Sequence, residues 1–173
     1  MAGDRIDIRI IGIDPGLRAT GWGIVLSTGR EIAYIASGRI RPDDKKDTAG
    51  RLKEIHEGLA AVIKMYRPSE AAVEEIFVNR DPQSALKLGQ ARAIALVVPA
   101  LVGIPVAEYA ANLVKKAVTG TGHAEKSQIA TMVGILLPGS APQSGDAADA
   151  LAVAITHARI RLWTENPAPG NKA

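Results

Sequence analysis

The chain has 173 residues, a formal net charge of +3 at pH 7 and no cysteine. That length fits one domain with a sizeable core, and the missing thiols exclude disulfides and thiolate-bound metals, leaving carboxylates, histidines or water as metal ligands. The basic balance (pI about 9.3) mildly favours a polyanionic partner, while one phenylalanine, two tryptophans and three tyrosines are too few for a base-stacking platform.

Asp4, Arg5, Asp7 and Arg9 keep the start of the chain from reading as a signal-peptide apolar region. No segment reads as long and apolar enough to span a membrane, so a cytoplasmic protein is expected. Ile10-Ile11-Gly12-Ile13 is a β-branched run apolar on both faces, the pattern of a central strand covered on each side. Pro15 and Gly16 stop it and leave Asp14 at its end. An aspartate before Pro-Gly caps a turn as readily as it meets a ligand, and this stretch alone does not decide between the two.

Thr20 to Leu26 alternates Trp22, Ile24 and Leu26 with glycines, Ser27 to Arg30 is a turn, and Glu31 to Ile40 is again strand-like. Three strands joined by tight turns predict an antiparallel meander. Arg41 to Asp47 is a charged loop that reads as solvated. Leu52, Ile55, Leu59, Val62 and Tyr66 recur at helical spacing and predict a helix over Arg51 to Tyr66. Ala71 to Phe77 is the fourth strand, apolar apart from Glu74 and Glu75. Asp81-Pro82 caps a helix that runs to about Val102. From Ala91 onward that helix is apolar nearly all round, as expected of one buried in the core or against a second subunit. Ile104 to Tyr109 is the fifth strand, and helices follow over Asn112 to Val118, Glu125 to Leu137 and Asp146 to about Trp163. No internal repeat or linker divides residues 1–163, and the Pro-, Asn- and Gly-rich stretch 164–173 reads as a disordered tail. The order predicts an α/β fold with a mixed five-stranded sheet, three antiparallel strands then two parallel, and helices on both faces.

The acidic residues of interest lie in apolar surroundings: Asp14 at a strand end, Glu74 and Glu75 inside a strand, Asp146 and Asp149 opening an apolar helix. Charged side chains are rarely buried unless paired or metal-bound, and these three segments contain no lysine or arginine to pair with them. The i, i+3 aspartates lie on one helix face. Helix capping explains Asp146 alone comfortably, but neither strand carboxylate. If the segments converge, oxygen-only ligands select Mg²⁺ or Mn²⁺, and a set this large suits two ions roughly 3.5–4 Å apart, the arrangement for displacement at phosphorus. Neighbouring strand residues face opposite ways, so Glu74 and Glu75 do not both serve, and pattern alone does not choose.

IGIDPG with TGWG, VEEIF, SALKLGQAR, GxGxAEKSQ and DAADALAVAITH, in this order, resemble the RuvC family of Holliday-junction resolvases, over about Ile10 to Ala158. The resemblance implies a ribonuclease H-like fold and a dimeric endonuclease that nicks two opposed strands of a four-way DNA junction with Mg²⁺. It places the catalytic and metal-binding positions on Asp14, Glu74, Asp146 and Asp149, and so chooses Glu74 over Glu75. It also implies Phe77 against bases at the junction centre, and Lys115 and Lys126 near the phosphates at the cut. A branch-migration helicase complex of the RuvA-RuvB type is the implied protein partner. By residue type alone Phe77 is a core residue, the lysines are a solvated face, and His56, His123 and His157 are structural. Two other classes compete. The glycine turn after Asp14 also suits ATP-binding proteins of the actin and sugar-kinase type, but those need two duplicated domains. A junction-binding module without catalysis has no reason to keep unpaired carboxylates in apolar segments.

Overall fold

The computed structural model describes residues 6–75, 81–141 and 144–165, the side chains of 163 and 165 excepted. A five-stranded sheet is built from β1 (Asp7–Asp14), β2 (Thr20–Thr28), β3 (Glu31–Ile40), β4 (Glu70–Glu74) and β5 (Val106–Tyr109), in the spatial order β3-β2-β1-β4-β5. β1 pairs antiparallel with β2, and β2 with β3, while β1, β4 and β5 run parallel. This is the expected mixed topology, with β1 at its centre.

The helices are α1 (Thr48–Tyr66), α2 (Pro82–Leu101), α3 (Ala111–Thr119), α4 (Lys126–Leu136) and α5 (Gly145–Glu165). Period-two alternation splits the strand residues between two cores. Ile11, Ile13, Ile24, Ala71 and Val73 pack with α1 and α2 on one face. Ile10, Val25 and Ala72 pack with α3, α4 and α5 on the other.

α5 lies against the sheet because β1 and β2 offer it glycines. A Cβ at Gly12 would overlap the carbonyl oxygen of Ala150 and stand 2.6 Å from the Ala154 nitrogen. A Cβ at Gly21 would overlap the carbonyl oxygen of Asp146. The alanines of α5 complete the fit: Ala147, Ala148, Ala150, Ala152, Ala154 and Ala158 are all buried. This close approach sets the first turns of α5 beside the end of β1.

Several boundaries differ from expectation. α1 begins at Thr48, because the Asp47 carboxylate, expected in a solvated loop, accepts from Gly50 N at 2.8 Å and caps the helix. β4 stops at Glu74, although Glu75 N still donates to Tyr109 O at 2.8 Å. Thr164 and Glu165, assigned by the sequence to a tail, continue α5. The expectation about membrane-length segments also needs correction: α2 is long and apolar enough to cross a membrane by length and composition. In the fold, Ala91, Ala95 and Val98 of α2 join the core while Leu86, Val97 and Leu101 remain exposed.

Candidate active site

Asp14 is the last residue of β1, paired across the ladder with Gly21, and its neighbour Ile13 is in register with Val73. Glu74 therefore ends β4 one strand away. The loop after Asp14 is pinned by the buried Thr20 hydroxyl, which donates to Gly16 O at 2.9 Å and accepts from Gly16 N at 3.3 Å. Asp149 reaches the same place from α5, and Lys126, first residue of α4, donates to its Oδ2 at 3.0 Å. Asp14, Glu74 and Asp149 line one cleft of about 220 Å³ together with Lys115 and Lys126. Asp146, on the first turn of α5, lines the adjoining groove beside Gly16.

The electrostatics follow from this crowding. The Asp14 pKa rises from 3.8 to about 7, first through burial and then through the negative charges of Asp149 and Glu74, with Lys126 opposing. The Glu74 pKa is also raised, again first by burial and then by Asp149, against the pull of Lys126 and Lys115. The hydrogen bond to Asp149 raises the Lys126 pKa, although its side chain is 82% exposed.

Among the described residues, no group of three or more carboxylates and histidines stands close enough to hold a metal ion as placed. The i, i+3 aspartates open onto two adjoining clefts rather than one spot, and Lys126 supplies the pairing cation that the sequence did not show. The donor set is nevertheless all carboxylate oxygen, the chemistry that hard divalent cations take. A buried carboxylate that keeps its proton to near neutrality marks a place where positive charge is lacking.

The shift on Asp14 has a definite sign for stability. A carboxyl whose folded pKa lies above its unfolded one contributes stability below the unfolded value of about 4 and loses it as pH rises through about 7. Urea denaturation in EDTA is expected to show the protein weaker at about pH 8 than at about pH 5.5, by on the order of 2 kcal/mol from this group. Equal stability at the two pH values in wild type and Asp14→Asn alike would contradict the crowding.

Lys115, by residue type a solvated-face lysine, borders the cleft, and Phe77 lies outside the described residues. His157 is structural, as expected. Its Nδ1 meets Tyr109 Oη at 2.7 Å and its Nε2 meets Glu70 Oε2 at 2.8 Å, while Arg161 Nε donates to Glu70 Oε1 at 2.9 Å. Sequence reasoning missed Arg51, whose Nη2 donates to Leu17 O at 2.8 Å and so braces the loop that follows Asp14. Its place on the polar side of an amphipathic helix gave no signal.

The family model described as crossover junction endodeoxyribonuclease RuvC matches residues 10–157. The chain belongs to the RuvC family. The RuvC of Beijerinckia indica is 65% identical over 161 residues, covering 93% of this chain and 90% of that protein. The RuvC of Methylocella silvestris is 63% identical over 158 residues, covering 91% and 90%. Both are named crossover junction endodeoxyribonucleases. Among solved structures, T. thermophilus RuvC in complex with Holliday junction substrate superposes with a TM-score of 0.83 at 34% identity, covering 91% of this chain and 96% of that one. The fold is thus the ribonuclease H-like fold of RuvC, and the chain is a nuclease of that family.

Proposed function

We propose that this chain is a Holliday-junction resolvase, making paired symmetric nicks in four-way DNA junctions by metal-dependent phosphodiester hydrolysis during recombination and repair. The observation that carries the reading is the cleft where Asp14, Glu74 and Asp149 meet beneath Lys115 and Lys126. Asp14, Glu74, Asp146 and Asp149 would hold two Mg²⁺ ions per subunit, with Mn²⁺ able to substitute. Such ions supply activation of a water and neutralisation of the leaving oxygen when bound.

The residues themselves have distinct tasks. Asp14 is fixed by a buried strand and a pinned loop, so it offers a pre-positioned ligand between the other carboxylates. Glu74 and Asp149 flank it from β4 and α5. Lys126, exposed and hydrogen-bonded to Asp149, is free to turn to a phosphate once a cation satisfies that carboxylate. Lys115 borders the same cleft, its charge acting on Glu74, and would help to position the strand. Phe77 is proposed to meet bases at the junction centre, and a branch-migration complex of the RuvA-RuvB type is the proposed partner.

Paired cuts require paired sites, and hence a homodimer. Leu86, Val97 and Leu101 fall on one stripe of α2 and are exposed, which suits a face covered by a second copy. Sedimentation at working concentration is expected to give a dimer, and Val97→Asp with Leu101→Asp a monomer. A monomeric wild type would refute this face.

The activity is tested by incubating the protein with a synthetic four-way junction and with linear duplex of the same sequences, in Mg²⁺ and in EDTA. Symmetric nicks on the junction in Mg²⁺ alone are expected. No nicks across several junction sequences would end the reading.

A further inference from the structure

Two further clefts adjoin the Asp146 side of the site. The first, about 600 Å³, is lined by Arg18, Arg51, Ser84, Lys87 and Asp146. The second, about 650 Å³, shares Arg18 and Arg51 and adds Arg41, together with Asp43 and Asp44. Arg18 and Arg51 thus form the common wall of a groove that begins at Asp146.

Its guanidinium is fixed at one end and unsatisfied at another. Nη2 is held by Leu17 O, in the loop that follows Asp14. Nε is buried and has no hydrogen-bond partner among the described residues. Buried donors in native proteins nearly always find an acceptor. Among the described residues, Arg18, Arg51 and Lys87 make no ion pair within 4.0 Å. Among the described residues these three cations, Lys87 also acting on Asp81, converge on that first cleft, and Asp146 is the only carboxylate lining it. Such a wall attracts a polyanion, and guanidinium forks suit phosphate oxygens. On the other side of the site stand Lys115 and Lys126. The carboxylates therefore lie between two cationic walls, and a single strand crossing them would meet one wall on each side of the scissile phosphate.

We propose that Arg51, with Arg18 and Lys87, holds the sugar–phosphate backbone of the cleaved strand on the Asp146 side of the scissile phosphate. This rests on the nuclease reading above. Because Arg51 also braces Leu17, a phosphate bound to it is held in fixed register with Asp14. Arg51 is a positioning residue, and Arg18 and Lys87 supply affinity.

The test separates the groove from the chemistry. Junction affinity of the EDTA-treated protein is measured against salt concentration. Arg18→Ala and Lys87→Ala are each expected to reduce the slope of log K against log salt by about 1, as one lost phosphate contact does. Lys53→Ala, which removes an exposed charge paired with Glu57 elsewhere on α1, is expected to leave the slope unchanged. Single neutral methylphosphonate linkages beside the cut then locate the contact in Mg²⁺. One on the Asp146 side is expected to slow wild-type nicking about tenfold and to have no further effect in Arg51→Ala. Unchanged slopes in both Arg18→Ala and Lys87→Ala would overturn the proposal, with no dependence on how well Arg51→Ala folds. So would a methylphosphonate effect that persists undiminished in a folded Arg51→Ala. Wild-type protein that binds but never nicks refutes the nuclease reading instead, while the salt slopes still report on the groove.

Discussion

Asp14→Asn is expected to lower the single-turnover rate of junction nicking by about a thousandfold or more while leaving junction affinity within about threefold. Asparagine keeps the shape and one oxygen of the side chain but removes the negative charge that a divalent cation requires. Affinity for DNA rests on lysines and arginines that the substitution does not touch. The same variant is expected to melt higher than wild type in EDTA at about pH 8. There the wild-type carboxyl, whose pKa lies near 7, must ionise against burial and the charges of Asp149 and Glu74. Loss of activity coupled to gain of metal-free stability is the mark of a site strained for function. A merely structural aspartate would lose both together. A comparable loss of binding at moderate salt would show that Asp14 has been misassigned.

Gly12→Ala is expected to destabilise the protein by about 3 kcal/mol or more, or to yield insoluble chains. The added methyl would strike main-chain atoms of α5, the Ala150 carbonyl oxygen and the Ala154 nitrogen, and not the yielding tip of a side chain. Relief requires the helix to lift from the sheet, which opens the core formed by Ile10, Leu151 and Ile155. It also draws Asp149 away from Asp14. Gly134→Ala in α4 is the internal comparison: nothing lies within 4 Å of its Cβ position, so a gain of up to about 1 kcal/mol in helix propensity is expected. Urea denaturation of the two variants beside wild type decides it. Equal stability of Gly12→Ala and wild type would mean that α5 does not rest on β1 as described.

These two variants also mark what the sequence could and could not convey. The sheet was legible because β-branched runs, tight turns and helical periodicity are local, and Asp14 and Glu74 stood out as charges in apolar runs. The role of Gly12 was not legible, since only the approach of a helix from far along the chain gives its missing side chain a meaning. Lys126 and Asp149 lie on different helices, so no local pattern announced their contact. Their meeting changes the picture of unpaired carboxylates. Asp47 was hidden inside a charged run, where a cap and a solvated residue look alike. The choice of Glu74 over Glu75 came from family resemblance. In the fold Glu74 lines the cleft with Asp14, while Glu75 follows the end of β4.

Asp14, Glu74, Asp146 and Asp149 are proposed to act as one metal-holding unit. Single-turnover nicking of one four-way junction in Mg²⁺, with Asp14→Asn, Glu74→Gln, Asp146→Asn and Asp149→Asn measured beside Glu75→Gln, tests it most directly. Each of the four is expected to slow nicking by about a thousandfold or more, with Glu75→Gln within a few-fold of wild type. Nicking at near the wild-type rate by any one of the four, or a collapse in Glu75→Gln with Glu74→Gln intact, would contradict it.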